Sequence, residues 1–366
     1  MKPAASGGCV FYGPLDLEMA MMSPTQIVCA VLVPFLWGTQ YVIIKIGLAA
    51  FPPLFFVGLR FAAVAAILLP FVGLPTKREL IDIIVISIFI GGLNFGLIFI
   101  GLTQAPASVA GIANQLWSPF TLLLAWPLLG ERPSIPVILG IVIAFGGVTL
   151  AVVNRDVAVP VVPTLFIIGS AAALATGSIL SKRYGPFDPM KLMAWMSLFT
   201  VPQVLIVSAL IEHGQIVALL SAGITAWLSL AYTILLGGIA GFGLWFWLVA
   251  RCSIARVAPY ALLQSPCAIA AGMIFRHEPL TPALVAGAVL CIAGVAITQR
   301  SPSRGAGPPH RSVPAPEPAD LSPVVSRREP RQGDGHEPHP SDRLVQGIFS
   351  VGSPDIPRAV RRRCRR

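Results

Sequence analysis

Ten apolar runs, each long enough to cross the hydrocarbon of a bilayer, constrain this chain more than any other feature. They lie at 26–44, 54–72, 81–102, 108–129, 135–153, 164–180, 192–211, 224–249, 257–275 and 282–298. A helix crossing about 30 Å of hydrocarbon needs about 20 apolar residues. Lipid offers no partner to backbone N–H and C=O groups, so a spanning segment is a helix or part of a closed barrel. The runs are continuous rather than alternating, which excludes the barrel. The expected fold class is therefore all-α integral membrane, with ten transmembrane helices.

Charge agrees with this reading. Only 11% of residues are charged, against about 25% in soluble domains, and so apolar a chain of this length needs a bilayer as its solvent. The net charge of +10 would suit a nucleic-acid partner if it were clustered on a folded surface. Instead, half of it sits in the last 66 residues, where twelve Arg oppose seven acids for +5. Twelve of those residues are also Pro, a composition that cannot bury a core, so 300–366 is expected to be a disordered tail. Its terminal cluster, 358–366, could touch anionic lipid head groups. Nucleic acid is not an expected partner.

Basic residues in short loops set the expected orientation. With residues 1–25 in the cytoplasm, the inner loops hold Lys77, Arg78, Arg132, Lys182, Arg183, Lys191, Arg251 and Arg256. The outer connections hold only Lys45, Arg155 and Arg276. Both termini are thus expected inside. The first residues do not form a signal peptide, because Asp16 and Glu18 interrupt them and no cleavage-like site follows. Met19, Met21 and Met22 point to translation starting within that cluster.

The chain also repeats itself. A shift of 147 residues lays Ser118-Pro119 on Ser265-Pro266, Phe95-Gly96 on Phe242-Gly243, Glu131 on Glu278, Gly140 on Gly287 and Gly147 on Gly294. Pro53 meets Pro189 at a shift of 136, so an insertion separates the two blocks. Repeats at 26–154 and 155–299 would hold five helices each. An odd number forces opposite orientations, and opposed halves that rock about a midplane site are a transporter architecture.

Polar groups at membrane depth are costly, so they are the candidate site residues. Arg60 lies within the second run and Lys45 at the outer end of the first; both could attract a carboxylate, or snorkel to head groups. Gln40, Asn94, Gln115 and Gln264 can hydrogen-bond a zwitterion. Ser118 and Ser265 stand beside prolines that free carbonyls, although bonding between packed helices would also account for them. Trp37, Tyr41, Trp195 and Tyr260 could form cavity walls, as could Trp117 and Trp245, where interfacial belts are the alternative. Glu131 and Glu278 precede helices, where a carboxylate complements the dipole and caps free amides; they read as structural helix-start residues.

No cofactor or metal site is expected. The six cysteines form no CxxC or Cys/His cluster, no GxxxxGK[ST] occurs, and every acid before residue 300 lies at a span end or in a loop. A membrane-embedded hydrolase would need an intramembrane acid, base or metal. A carrier without a buried carboxylate points to facilitated diffusion or exchange.

The segments Trp37-Gly38-Thr39-Gln40-Tyr41-Val42-Ile43-Ile44-Lys45, Pro52-Pro53, Gly58-Leu59-Arg60-Phe61 and Gly130-Glu131-Arg132 resemble the EamA family of the drug/metabolite transporter superfamily. So do Ala194-Trp195, Gly243-Leu244-Trp245, Arg256-Val257-Ala258-Pro259 and Glu278-Pro279-Leu280. The resemblance spans about 27–299 and looks most like the O-acetylserine/cysteine exporter branch; Arg276-His277 departs from the family's small or acidic residue before the Glu. It implies a multi-pass protein of the bacterial inner membrane that exports amino acids or their derivatives. A multidrug exporter of the same fold is one alternative, and a membrane-bound enzyme or scaffold acting through its tail is another. The partners implied are a small-molecule substrate and the lipid bilayer; the sequence assigns no oligomeric state.

Overall fold

The structure, a computed structural model, describes residues 22–130, 133–153, 159–252 and 254–300. Glu131, Arg132, Arg155, the N-terminal segment and the tail lie outside the described residues. Among the described residues the chain is helical, without strands.

α1 (Pro24–Gly47) starts at Ser23, whose hydroxyl accepts the Gln26 amide at 3.3 Å while Gln26 Oε1 accepts the Ser23 amide at 2.8 Å. This reciprocal cap satisfies two of the four donors a helix start leaves open. α2 (Pro53–Leu68) begins on a proline, whose missing N–H costs nothing there. α3 (Lys77–Leu102) is capped by Thr76 and Glu79 and is wound as a π-helix over Ser87–Phe95. α4 (107–129) is broken: Ala107–Ala113, a 3₁₀ turn at Asn114–Leu116, then Trp117–Leu129. Gly130 ends it at φ 74°, the left-handed cap that glycine takes without a Cβ clash.

α5 (Ile135–Val152) completes the first half. The second half holds α6 (Val161–Tyr184), α7 (Pro189–Ile211), the short α8 (Gln215–Ser221), α9 (Ile224–Arg251), α10 (254–276) and α11 (Pro282–Arg300). α9 carries its own π-helical stretch, Leu235–Ala240, and α10 breaks between Ala261 and Gln264. The stretch 212–223, between the seventh and eighth expected runs, contains the extra helix α8.

Nine helical stretches among the described residues are long and apolar enough to cross a membrane. The fourth expected run, 108–129, is helical throughout as well, but Asn114 and Gln115 make it less apolar than the other nine.

α5 and α11 pack antiparallel through facing glycines. A Cβ on Gly147 would lie 2.6 Å from the Gly287 carbonyl oxygen, and one on Gly140 would lie 2.7 Å from that of Gly294. The reciprocal approaches, from Gly287 to Gly147 and from Gly294 to Gly140, are equally close at 2.6 and 2.5 Å. Small residues let helix backbones approach where lipid supplies no hydrophobic drive to associate. The glycines that the 147-residue shift equates in sequence therefore meet in cross-paired fashion, as two inverted copies require. Exposed Leu139, Val142, Ile206, Leu210 and Leu228 form the outward, lipid-facing surface.

Candidate functional site

Between the two halves lies a cavity of about 410 Å³, lined from α1, α2, α3, α4, α6, α7, α9 and α10. Its walls follow the repeat. Phe95 and Phe242, Ile98 and Trp245, Phe99 and Phe246, and Trp117 and Gln264 all line it, each pair separated by 147. Arg60 and Met196, separated by the other shift, 136, line it as well. The cavity thus sits where a midplane carrier site is expected.

The π-helical stretches of α3 and α9 form facing walls. A π-helix pairs its backbone groups five residues apart instead of four and is frequent at functional sites. In α9, the Gly237 carbonyl accepts the Trp37 indole N–H at 3.1 Å. A Cβ at Gly237 would fall on the Gln40 amide, so α1 seats two polar side chains on that glycine. On the other wall, Asn94 Nδ2 donates to Ile90 O at 3.3 Å, and Gln203 Nε2 donates to Ser87 Oγ at 2.7 Å.

The breaks in α4 and α10 meet. Pro266 has no N–H for the Leu262 carbonyl four residues earlier, which leaves that oxygen free. Gln115 Nε2 reaches it at 3.4 Å, and Ser265 Oγ donates to Gly111 O at 2.9 Å. At the rim of this crossing, Gln264 Nε2 donates to the Tyr41 hydroxyl at 2.8 Å, and both side chains line the cavity.

Arg60 is 2% exposed and lines the cavity with no carboxylate beside it. Its guanidinium carbon lies 4.2 Å from the centre of the Phe95 ring and 5.5 Å from that of Phe61, a cation–π arrangement. Nε and Nη1 are buried without a hydrogen-bond partner. Asn114, absent from the sequence candidates, also lines the cavity, with its side chain beside the Tyr41 hydroxyl. Ser178, Ser181 and Ser197 add hydroxyls that were likewise missed.

Of the sequence candidates, Trp37, Gln40, Tyr41, Arg60, Asn94 and Gln264 share the cavity, together with Trp117 and Trp245. The others lie elsewhere, each for a local reason. Lys45 Nζ donates to Leu102 O at 3.1 Å and Ala105 O at 2.6 Å, tied to the carbonyls that the end of α3 leaves open. Trp195 sits off the α7 face that carries Leu192, Met193, Met196 and Ser197, and donates to Gly73 O at 3.1 Å instead. Tyr260 packs against the cluster of Ala30, Val33 and Leu248. Gln115 and Ser265 close the helix breaks, and Ser118 is half-buried away from the cavity.

Glu278 caps a helix, but not the one it precedes. Its carboxylate accepts the amides of Ala107 and Ser108, the start of α4, at 2.7 and 3.0 Å. Thr281 takes the α11 cap by accepting from Leu284 at 3.2 Å. His277 takes φ 52° at the end of α10, which turns the chain back toward α4. Glu212 does the same for α2, accepting from Leu54 and Phe55 at 2.7 and 3.0 Å. Glu212, Glu278 and Lys45 all stand at the end where α1 finishes, and they tie it shut. At the opposite end the lining reaches Ser181 and the exposed Pro189, beside Lys182, Arg183 and Lys191.

Similar proteins agree with this architecture. The chain is 32% identical over 277 residues to a "Probable amino-acid metabolite efflux pump" of Salmonella typhimurium, covering 73% of this chain and 92% of that protein. It is 31% identical over 285 residues to the Escherichia coli K12 protein of the same description, covering 75% and 95%. The uncharacterized transporter YvbV of Bacillus subtilis is 29% identical over 282 residues, covering 75% and 90%. A crystal structure with 20% identity superposes at a TM-score of 0.51 over 75% of this chain and 98% of that one, a likeness of fold alone. The model of the EamA-like transporter family matches twice, at residues 25–153 and 162–300. The chain is a member of the EamA-like transporter family.

Proposed function

We propose that this transporter exports small amino-acid-related metabolites by alternating access, binding them in the cavity between its two halves, and that it catalyses no reaction. One observation carries the reading: a buried guanidinium without a counter-ion faces a chamber of about 410 Å³. A charge held at that depth needs a partner, and a carboxylate-bearing substrate supplies one. The two relatives described as amino-acid metabolite efflux pumps support the same class.

The binding set is Arg60, Gln40, Tyr41, Asn94, Asn114 and Gln264, with Trp37 holding the wall. The cavity mouth lies at the basic Lys182–Lys191 end, and the opposite end is tied by Lys45, Glu212 and Glu278. With basic loops inside, the chamber faces the cytoplasm, ready to load a substrate for export. The segment 107–129 serves as the tenth span, and both termini lie in the cytoplasm of the bacterial cell. The arginine-rich end of the tail meets anionic lipid.

A multidrug exporter is the second reading, favoured by the walls of Trp37, Phe95, Trp117, Phe242, Trp245 and Phe246. Release from proteoliposomes across a panel of amino-acid metabolites and lipophilic cations separates the two. The account expects protein-dependent release of the metabolites. Release of the cations alone would favour the second reading, and release of neither would overturn both.

A further inference from the structure

The cavity carries a single formal charge. Arg60 is the one charged residue among those lining it, which include no Asp, Glu, Lys or His. Phe95 and Phe61 cover the guanidinium without neutralising it, and two of its nitrogens have no hydrogen-bond partner. Asn114 lines the same chamber, with its side chain beside the Tyr41 hydroxyl. An unneutralised guanidinium, in a lining otherwise built of uncharged side chains, describes the ligand that completes it: anionic oxygens for Arg60, and uncharged polar groups for the amides of Gln40, Asn94 and Asn114.

A zwitterion fits this set poorly. Its ammonium would find no carboxylate and would stand as a second cation beside Arg60. The aromatic faces of Trp37, Trp117 and Trp245 offer it partial compensation, less than a carboxylate partner would. Acylating the amine removes that charge and keeps an N–H for the amide side chains of the lining.

We propose that the site selects by net charge: its preferred substrates are monocarboxylates whose second polar group is uncharged, such as N-acylated amino acids, over the zwitterionic parents. This rests on the carrier reading above and narrows its substrate class. A consequence follows for energetics. Arg60 stays with the protein, so the loaded chamber is neutral, the empty one is positive, and each cycle carries one negative charge outward. An inside-negative membrane potential then drives export without a coupling ion.

The test uses the full-length protein in proteoliposomes loaded with N-acetyl-L-leucine, L-leucine or L-leucinamide. These share a side chain but are anionic, zwitterionic and cationic. The anion should leave about tenfold faster than leucine, the effect of one satisfied charged hydrogen-bond pair, with leucinamide slowest. A valinomycin–potassium potential, negative inside, should speed the anion alone. Arg60→Lys should keep the order, and Arg60→Gln should erase it. Leucine leaving as fast as the anion, or the order surviving Arg60→Gln, would overturn the proposal while leaving the carrier reading standing. Release of none of the three would count against the carrier reading itself and this inference with it. The wild-type series decides alone if Arg60→Gln fails to insert.

Discussion

Trp37 donates its indole N–H to the Gly237 carbonyl at 3.1 Å, joining the first helix of one half to the π-helical stretch of the other. Alternating access requires the two halves to move against each other, so a bond between them must reform or break in each cycle. Trp37→Phe keeps the ring contacts with Phe242 and Trp245 but removes the donor. A bond of this kind contributes about 1 kcal/mol. The variant should fold and melt close to wild type yet change its transport rate several-fold, as measured by initial release from proteoliposomes. A rate equal to wild type would show that this bond is not part of the cycle.

The glycine seam of α5 and α11 gives a sharper contrast. A Cβ at Gly147 would meet the Cys291 and Gly287 backbones, whereas one at Gly146 would meet nothing within 4 Å. Gly147→Ala should destabilise the protein by about 1–3 kcal/mol through overpacking. Gly146→Ala should be neutral or stabilising by up to about 1 kcal/mol, the helix propensity it gains. Thermal unfolding in detergent checks both, and equal melting of the two variants would sink the seam.

Much of this architecture is legible in the sequence. The apolar runs and the 147-residue repeat follow from patterns that bilayer physics leaves few ways to satisfy. Phe95/Phe242 and Gly147/Gly294 fell at matching places because the halves are copies. Which candidates face the cavity was much less legible. A helix apolar on all sides gives no periodicity to say which face looks inward, so Trp195 and Met196, one residue apart, could not be ranked. Lys45 looked like Arg60 in sequence, yet open carbonyls at the end of α3 capture it. The partners of Glu278 and Glu212 are more than 150 residues away, and local capping rules cannot see that far. Asn114 had a signal that went unused: it opens the interruption of a run otherwise apolar enough to span.

Orientation is open to direct labelling. In a background cleared of native cysteines, single cysteines replace Lys77 and His213, at opposite ends of the bundle. An impermeant thiol reagent outside intact cells should label position 213 and spare 77. Labelling at 77 and not at 213 would invert the topology and turn the cavity mouth outward.

Proton coupling should be weak. None of the cavity's lining residues is an acid or a histidine, and Arg holds its proton across the physiological range. Without a titratable group in the chamber, a pH step has no direct means of biasing the two access states. Uptake into proteoliposomes at clamped voltage and fixed substrate gradient should change little when the step is imposed. Accumulation above equilibrium, driven by the step alone, would point to a loop carboxylate reaching inward, with Glu131 and Glu278 the first to mutate.

The central claim is that the Arg60 chamber is the substrate's binding place. The most direct measurement is release of an amino-acid metabolite from proteoliposomes by wild type, Arg60→Ala and Leu210→Ala, the last at an exposed, lipid-facing position. All three proteins are to be matched for amount and for unfolding temperature. Arg60→Ala should lose about tenfold or more of the release rate, the worth of a charge-assisted bond to a carboxylate, while Leu210→Ala keeps it. Arg60→Ala releasing substrate at the wild-type rate would contradict the account and leave the guanidinium a feature of packing alone.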